Sequence, residues 1–376
     1  MEALDKIKRI SKDPYSYALN LKQATGKPVI GNFCSYTPEE LIYAAGGIPF
    51  RLFGTKDDIS MADAHLQAYC CSLVRGGLED ALNGNLSFLD GTVFPHTCDS
   101  IQRLSDIWRL NADFAFHIDV VLPVKLDTES AKIYMVDVIN GFKKNLEAAL
   151  NITITRENLT KSIIVYNRIR KMLGEIYEIR SNSPDSISAA DVYHIIKASM
   201  VMERDELLEL LIKLLDELKN KATGSTLDTK NKKRIMLSGG ICNHPDIYTA
   251  LEESGAEVIW DDLCTGSRYF EGEINETGGP IEAIADRYLT RIVCPAKHMG
   301  MTVRGESLVR QAKKHDAAGV IFLLLKFCDP HAFDYPYLKQ FLDDAGIPSI
   351  LLEVEEQLPS DGQLKTRFET FVDMLD

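Results

Sequence analysis

The spacing of apolar positions changes several times along the chain, and each change marks an element. Residues 1 to 26 mix charges with apolar positions at helical spacing and read as an amphipathic helix. "KPVIGNF" (27 to 33) is a β-branched run bounded by Pro and Gly, a strand that ends at Cys34. "TPEELIYAAGG" follows with Thr37 as N-cap, Pro38 at N1, Glu40 at N3 and Gly46 near the stop, which predicts a helix with a capping box. "IPFRLFG" (48 to 54) predicts a second strand, about Cys71 to Leu82 a helix, and "GTVFPH" (91 to 96) a third strand. Asp99 is placed to cap the next helix, through Ile101, Leu104, Ile107 and Trp108. From 128 to about 222, three long segments repeat apolar residues at three- and four-residue steps, almost wholly helical. A polar linker, "TGSTLDTKNKK" (223 to 233), comes next. Alternation then resumes: "RIMLSGG", "AEVIWDDL", "GVIFLLLKF" and "GIPSILLEV" read as strands, with helices "HPDIYTALEESG", "GPIEAIADRYLTRIV" and "ESLVRQAKKHDA" between them. Asp329-Pro330 is suited to open one more helix as N-cap and N1.

Strands alternating with helices imply parallel sheets covered on both faces. The expected fold is therefore α/β: two doubly wound parallel-sheet lobes with a helical insertion between them and an N-terminal helix. The boundaries are 1–26 for the N-terminal helix, 27–127 for the first lobe, 128–230 for the helical region and linker, and 231–376 for the second lobe.

Composition narrows the function. The 376 residues are 45% hydrophobic and 26% charged, ordinary for a globular protein. The net charge of -13 argues against nucleic acid as a partner. No apolar run approaches the ~20 residues that span a bilayer, and the charged start "MEALDKIKRISKD" lacks the core of a secretion signal. A cytoplasmic protein without a membrane partner is expected, and in that compartment its eight cysteines stay reduced.

Those cysteines carry the candidate chemistry. "GTVFPHTCDS" and "GVIFLLLKFCDPHAF" both run apolar and then stop at Cys-Asp. Cys34, Cys98, Cys264 and Cys328 each follow a predicted strand, Cys71 opens a predicted helix, and Cys294 lies in a loop after one. Sites in open parallel sheets form beyond the carboxyl ends of the strands. Soft thiolates on separate loops suit an iron–sulfur cluster. Helix starts beside Cys34, Cys71, Cys98 and Cys328 would lower thiolate pKa values and favour an anionic cluster. Counted by lobe, the cysteines fall three and three, enough for two cubanes facing each other. No Cys-x-x-Cys pair suggests zinc, and Cys70 reads as a packed neighbour of Cys71. Cys242 also follows a strand and is an alternative to Cys294.

"GNFCSYTPEELIYAAGGIPFRL", "AYCCSLVRGGLEDAL", "VFPHTCDSI", "LLKFCDPHAFDYPYLKQFLDDAGIPSILLE" and "GQLKTRFETFVDML" together resemble the 2-hydroxyacyl-CoA dehydratase and benzoyl-CoA reductase superfamily. The resemblance covers nearly the whole chain. It implies two α/β lobes with helical additions, and one cubane on Cys71, Cys98 and Cys328, a grouping that crosses the lobes. The further Cys34, Cys264 ("WDDLCTGSR") and Cys294 ("IVCPAKH") make the chain most similar to the double-cubane cluster branch. The resemblance favours Cys294 over Cys242 as a ligand. It implies two [4Fe-4S] units bridged by sulfide, a [8Fe-9S]-type cluster. It also implies low-potential electrons from an ATP-hydrolysing [4Fe-4S] activator, reduction of small molecules such as acetylene, a homodimer and an anaerobe's cytoplasm. The chain has no "GxxxxGK[ST]" loop, so ATP binding belongs to the partner.

Catalytic residues are less legible. His96 and His331 flank Cys98 and Cys328 and are candidates for donating a proton or hydrogen bond, against a capping or solvent role. Asp261 and Asp262 read as caps for the next helix or as acid/base groups, and Arg75 and Arg268 as solvated or as facing an anionic cluster or a CoA phosphate. Three rivals remain: a single-[4Fe-4S] subunit of a 2-hydroxyacyl-CoA dehydratase or benzoyl-CoA-type reductase, a non-catalytic electron carrier, and a zinc-stabilised structural protein.

Overall fold

The computed structural model describes residues 1–55, 57–224, 232–355 and 358–375. Two helices, α1 (Glu2–Lys12) and α2 (Pro14–Thr25), replace the single N-terminal helix expected. The break falls at Asp13, whose carboxylate accepts from the Ser16 N–H at 3.1 Å, followed by Pro14, which has no N–H to continue the first helix. The first lobe then runs β1 (Val29–Asn32), α3 (Glu39–Ala44), β2 (Ile48–Arg51), α4 (Ser72–Leu82), β3 (Gly91–Pro95), α5 (Asp99–Asn111) and β4 (Phe116–Val120). Four helices follow: α6 (Glu129–Leu150), α7 (Arg156–Asn182), α8 (Ala189–Ser199) and α9 (Arg204–Gly224). Thr128, Thr155 and Ser188 cap the first three of these, each accepting from a backbone N–H three residues on. The polar stretch read as a linker lies mostly outside the described residues. The second lobe comprises β5 (Lys233–Gly239), α10 (Pro245–Glu253), β6 (Ala256–Asp262), α11 (Ser267–Phe270), α12 (Pro280–Thr290), α13 (Val303–Lys314), β7 (Gly319–Leu325), α14 (Asp329–Asp344), β8 (Ser349–Val354) and α15 (Asp361–Asp373).

The two sheets share one topology. The first is ordered β2-β1-β3-β4 and the second β6-β5-β7-β8, and every pairing is parallel. The α/β expectation is thus met: two parallel lobes with a helical block between them in sequence. All seven residues of β7 are buried, as a strand covered on both faces requires. One apolar cluster runs through both lobes, from Phe33 and Phe94 to Leu237 and Leu323. A second joins β1 and β4 to α6 and also takes in Ile284 and Tyr288 of α12. Among the described residues no helix is long and apolar enough to cross a membrane.

Helix starts differ from expectation at three places. α3 begins at Glu39 with Pro38 in the cap position, and the Thr37 hydroxyl is buried without a partner. The capping box is lost because both glutamates are drawn into buried ion pairs: Glu39 with Arg204 at 2.9 Å, and Glu40 with Arg170. At α5 and α14 the cap is Cys98 and Cys328 rather than the aspartate after each. The aspartates stand instead in the first turn, where their charge meets the positive helix end.

Candidate functional site

In each sheet the strand order reverses between the first and third strands, β1/β3 and β5/β7. A crevice opens at such a switch point beyond the carboxyl ends. Cys34 lies two residues past β1, Cys98 three past β3, Cys264 two past β6 and Cys328 three past β7. Cys71 is the N-cap of α4, as Cys98 is of α5 and Cys328 of α14. The turn before Cys328 is tight: Phe327 adopts a left-handed φ of 64°, and the Cys328 N–H returns to the Leu325 carbonyl at 3.0 Å.

The thiols converge across the lobes and do not sort three per lobe. Cys71, Cys98 and Cys328 lie within electrostatic reach of one another. Cys294 lies within reach of Cys264 and Cys34. The two triads come within electrostatic reach of each other through Cys34 with Cys98 and through Cys294 with Cys328. Cys242 stands apart. It is buried, its N–H bonds the Thr265 hydroxyl at 2.9 Å, and its electrostatic influence falls on Tyr193 and Tyr248. Cys70 packs in the core beside Cys71.

Local contacts hold the loops in this arrangement. The Cys294 N–H donates to the Tyr36 hydroxyl at 3.4 Å, and the Arg291 guanidinium lies 4.1 Å over the Tyr36 ring. The loop after Cys294 is stitched to the first lobe where the His298 N–H meets the Val124 carbonyl and the Leu126 N–H meets the His298 carbonyl, both at 2.8 Å. Cys264 is fixed to the end of β5 by its N–H to the Gly240 carbonyl at 2.8 Å.

The helix starts do not produce low-pKa thiols. Burial pushes Cys71 up to about 11, and Cys98 and Cys294 up to about 12, with neighbouring thiols adding to the rise. Backbone N–H groups oppose the rise at Cys71 and Cys98, and desolvation outweighs them. Ionised thiols in this space therefore call for a strong cationic centre.

The donor set fits an iron–sulfur cluster on several counts. Among the described residues no three His, Cys, Asp or Glu side chains converge closely enough to hold a single metal ion. The surroundings are cationic. Arg268 donates to the Cys264 Sγ at 3.2 Å, to Asp262 at 3.0 Å and to the Gly239 carbonyl, and its buried Nε has no partner. Arg291 faces Cys34, and Lys297 faces Cys34, Cys98 and Cys294. Among these cations the sequence reading singled out only Arg268. Lys297, three residues after Cys294 in "CPAKH", carried the one available signal, a basic residue one turn from a candidate ligand.

Several of the remaining candidates have structural partners. His96 Nε2 lies 2.8 Å from Asp119 Oδ1, and Ser105 and His117 complete a polar cluster around that carboxylate. His331 is buried in the first turn of α14, and burial with Arg268 and Arg304 nearby holds it neutral, well below the usual imidazole range. Asp261 accepts from the Tyr177 hydroxyl at 2.6 Å and the Ser267 N–H at 2.7 Å, tying the α11 turn to α7. Asp262 pairs with Arg268 and Arg304, and Arg75 with Asp63. Beside Cys98 a cleft of about 630 Å³ opens between the lobes, lined by Lys297, Met301, Arg304, Asp329 and Phe333 among others. That is the volume of a small-molecule site.

The chain has relatives among known proteins along nearly its whole length. Residues 34–375 match the family model of the 2-hydroxyglutaryl-CoA dehydratase D-component. The chain is 30% identical to the beta subunit of (R)-phenyllactyl-CoA dehydratase from Clostridium sporogenes, over 98% of this chain and 97% of that one. It is 26% identical to the beta subunit of lactoyl-CoA dehydratase from Anaerotignum propionicum, over 99% and 98%. It is 28% identical to a benzoyl-CoA reductase subunit from Thauera aromatica, over 93% and 91%. The chain belongs to the 2-hydroxyglutaryl-CoA dehydratase D-component family, within the superfamily of 2-hydroxyacyl-CoA dehydratases and benzoyl-CoA reductases.

Proposed function

We propose that this chain is an iron–sulfur reductase in which Cys71, Cys98 and Cys328 hold one cubane and Cys34, Cys264 and Cys294 a second. The observation that carries the reading is the mutual approach of two thiol triads, each drawn from both lobes. When bound, such a double-cubane cluster supplies low-potential electrons to a small substrate. An ATP-hydrolysing [4Fe-4S] activator charges it, and a homodimer is the working assembly. The chain's own residues fix the thiols at strand and helix ends and surround them with Arg268, Arg291 and Lys297. The cleft beside Cys98 admits a small molecule while Phe333 and Met301 offer it apolar walls.

A second reading is favoured by the relatives, whose names are those of acyl-CoA dehydratase and reductase subunits. In it the chain holds one [4Fe-4S] cluster on Cys71, Cys98 and Cys328 and serves as one subunit of such an enzyme. Turnover separates the two. The purified chain with an activator, ATP and a reductant reduces acetylene under the first reading. Under the second it is inactive until a partner subunit and a 2-hydroxyacyl-CoA are supplied. A chain that accepts electrons yet turns over neither substrate would be an electron carrier.

A further inference from the structure

We infer that Lys297 is the positioning cation for an anionic group held at the junction of the two thiol triads. The inference rests on the cluster reading and names a residue that acts on that group. Lys297 is only 2% exposed. Its ammonium donates to two backbone carbonyls, of His96 at 3.2 Å and Leu122 at 3.3 Å, which neutralise none of its charge. Among the described residues no carboxylate pairs with it. A buried ammonium without a counter-charge is strongly disfavoured.

The neighbours that favour its charge are Cys34, Cys294 and Cys98. These come from both triads: Cys98 from one, Cys34 and Cys294 from the other. The other buried cations near the thiols reach only one triad or are paired: Arg291, which among the described residues also has no carboxylate ion pair, lies 4.1 Å over the Tyr36 ring and faces Cys34 of one triad. Arg268 is neutralised by Asp262 and faces Cys264 and Cys294, which belong to one triad. Arg304 is neutralised by Asp262 and Asp334. Lys297 thus reaches both triads while its own charge waits for a partner. Lys297 is also among the residues lining the cleft beside Cys98, so it stands where the junction meets the substrate space. The chemistry it suits is a compact anion, sulfide-like in charge and size, to which an ammonium can give a hydrogen bond.

The alternative is a stitching role, in which the lysine merely ties the β3 and β4 loops together through the two carbonyls. Lys297→Met and Lys297→Arg in the full chain, purified without oxygen, separate the two. Iron per chain, melting temperature with and without iron, and the midpoint potential of the cluster are measured. With the anion role, Lys297→Met folds, and its iron-free form melts no lower than the iron-free parent, because an uncompensated charge has been removed. Loading then raises its melting temperature less than in the parent. The midpoint moves to more negative potential, and Lys297→Arg restores it toward the parent value. A folded Lys297→Met that no longer retains iron also supports the role. Failure of Lys297→Met to fold, a lower melting temperature of its iron-free form, or an unchanged midpoint with full iron would overturn it. Absence of iron from the parent chain itself would remove the cluster reading before any variant is compared.

Discussion

At the residue scale the six thiols are not equivalent to the remaining two, and substitution separates them. Cys264→Ala removes one member of the second triad and is expected to cost about half the iron. Cys242→Ala is expected to leave the iron content at the parent level, because the Cys242 thiol donates to the His244 carbonyl and faces tyrosines. Iron analysis of the two variants beside the parent checks both. Phe327 offers a backbone test. Its left-handed φ of 64° places Cys328 at the helix cap, and the residue is 41% exposed. Phe327→Gly is expected to keep stability within about 1 kcal/mol of the parent, since glycine adopts this φ freely. Phe327→Val is expected to lose roughly 1–2 kcal/mol in denaturant titration and to retain iron less well. Gly239 is the opposite case. A Cβ there would lie 1.9 Å from the Leu323 carbonyl oxygen, so no side chain fits between β5 and β7.

At the element scale, buried charge pins the helical block to the start of α3. Arg204, at the start of α9, donates to Glu39 at 2.9 Å, to the Tyr166 hydroxyl at 2.8 Å and to the Ser199 and Met202 carbonyls. Arg204→Met would leave Glu39 buried and uncompensated, for an expected loss of about 3–5 kcal/mol in urea unfolding. The contact between α1 and α8 carries a pH dependence. His194 is buried there with Nδ1 2.9 Å from the Ser11 hydroxyl, and burial, with nearby Lys8, pulls its pKa down to about 4. The unfolded chain protonates this histidine near pH 6.5, the folded chain only near pH 4. Between those values the unfolded state binds the extra proton, so stability falls as the pH falls; above about 6.5 the contribution is fully present. The expected loss is up to about 3 kcal/mol for this group. His194→Gln should flatten that part of the stability curve between pH 7 and pH 4.

At the scale of the whole molecule, the legible parts were those written in local pattern. Parallel strands buried on both faces leave continuous apolar runs, so "GVIFLLL" and "GTVFP" could be read directly. The edge strand β4, "FHIDV", was not read, because His117 and Asp119 interrupt its apolar run where that strand meets the polar cluster. The cysteines were legible as strand-end residues, yet their grouping was not. Sequence position assigns three to each lobe, whereas closure of the lobes pairs Cys328 with Cys71 and Cys98, and Cys34 with Cys294. Lys297 was missed for the same reason: a lysine in a loop looks solvated until the other lobe covers it. The effect of the helix ends on the thiols was overestimated, since burial opposes it and a sequence does not show depth.

The most direct test is a count of iron and acid-labile sulfide per chain after purification without oxygen. About eight irons per chain are expected, one cubane on each triad. About four would leave Cys34, Cys264 and Cys294 as ordinary thiols, contradict the paired arrangement and favour the single-cluster subunit.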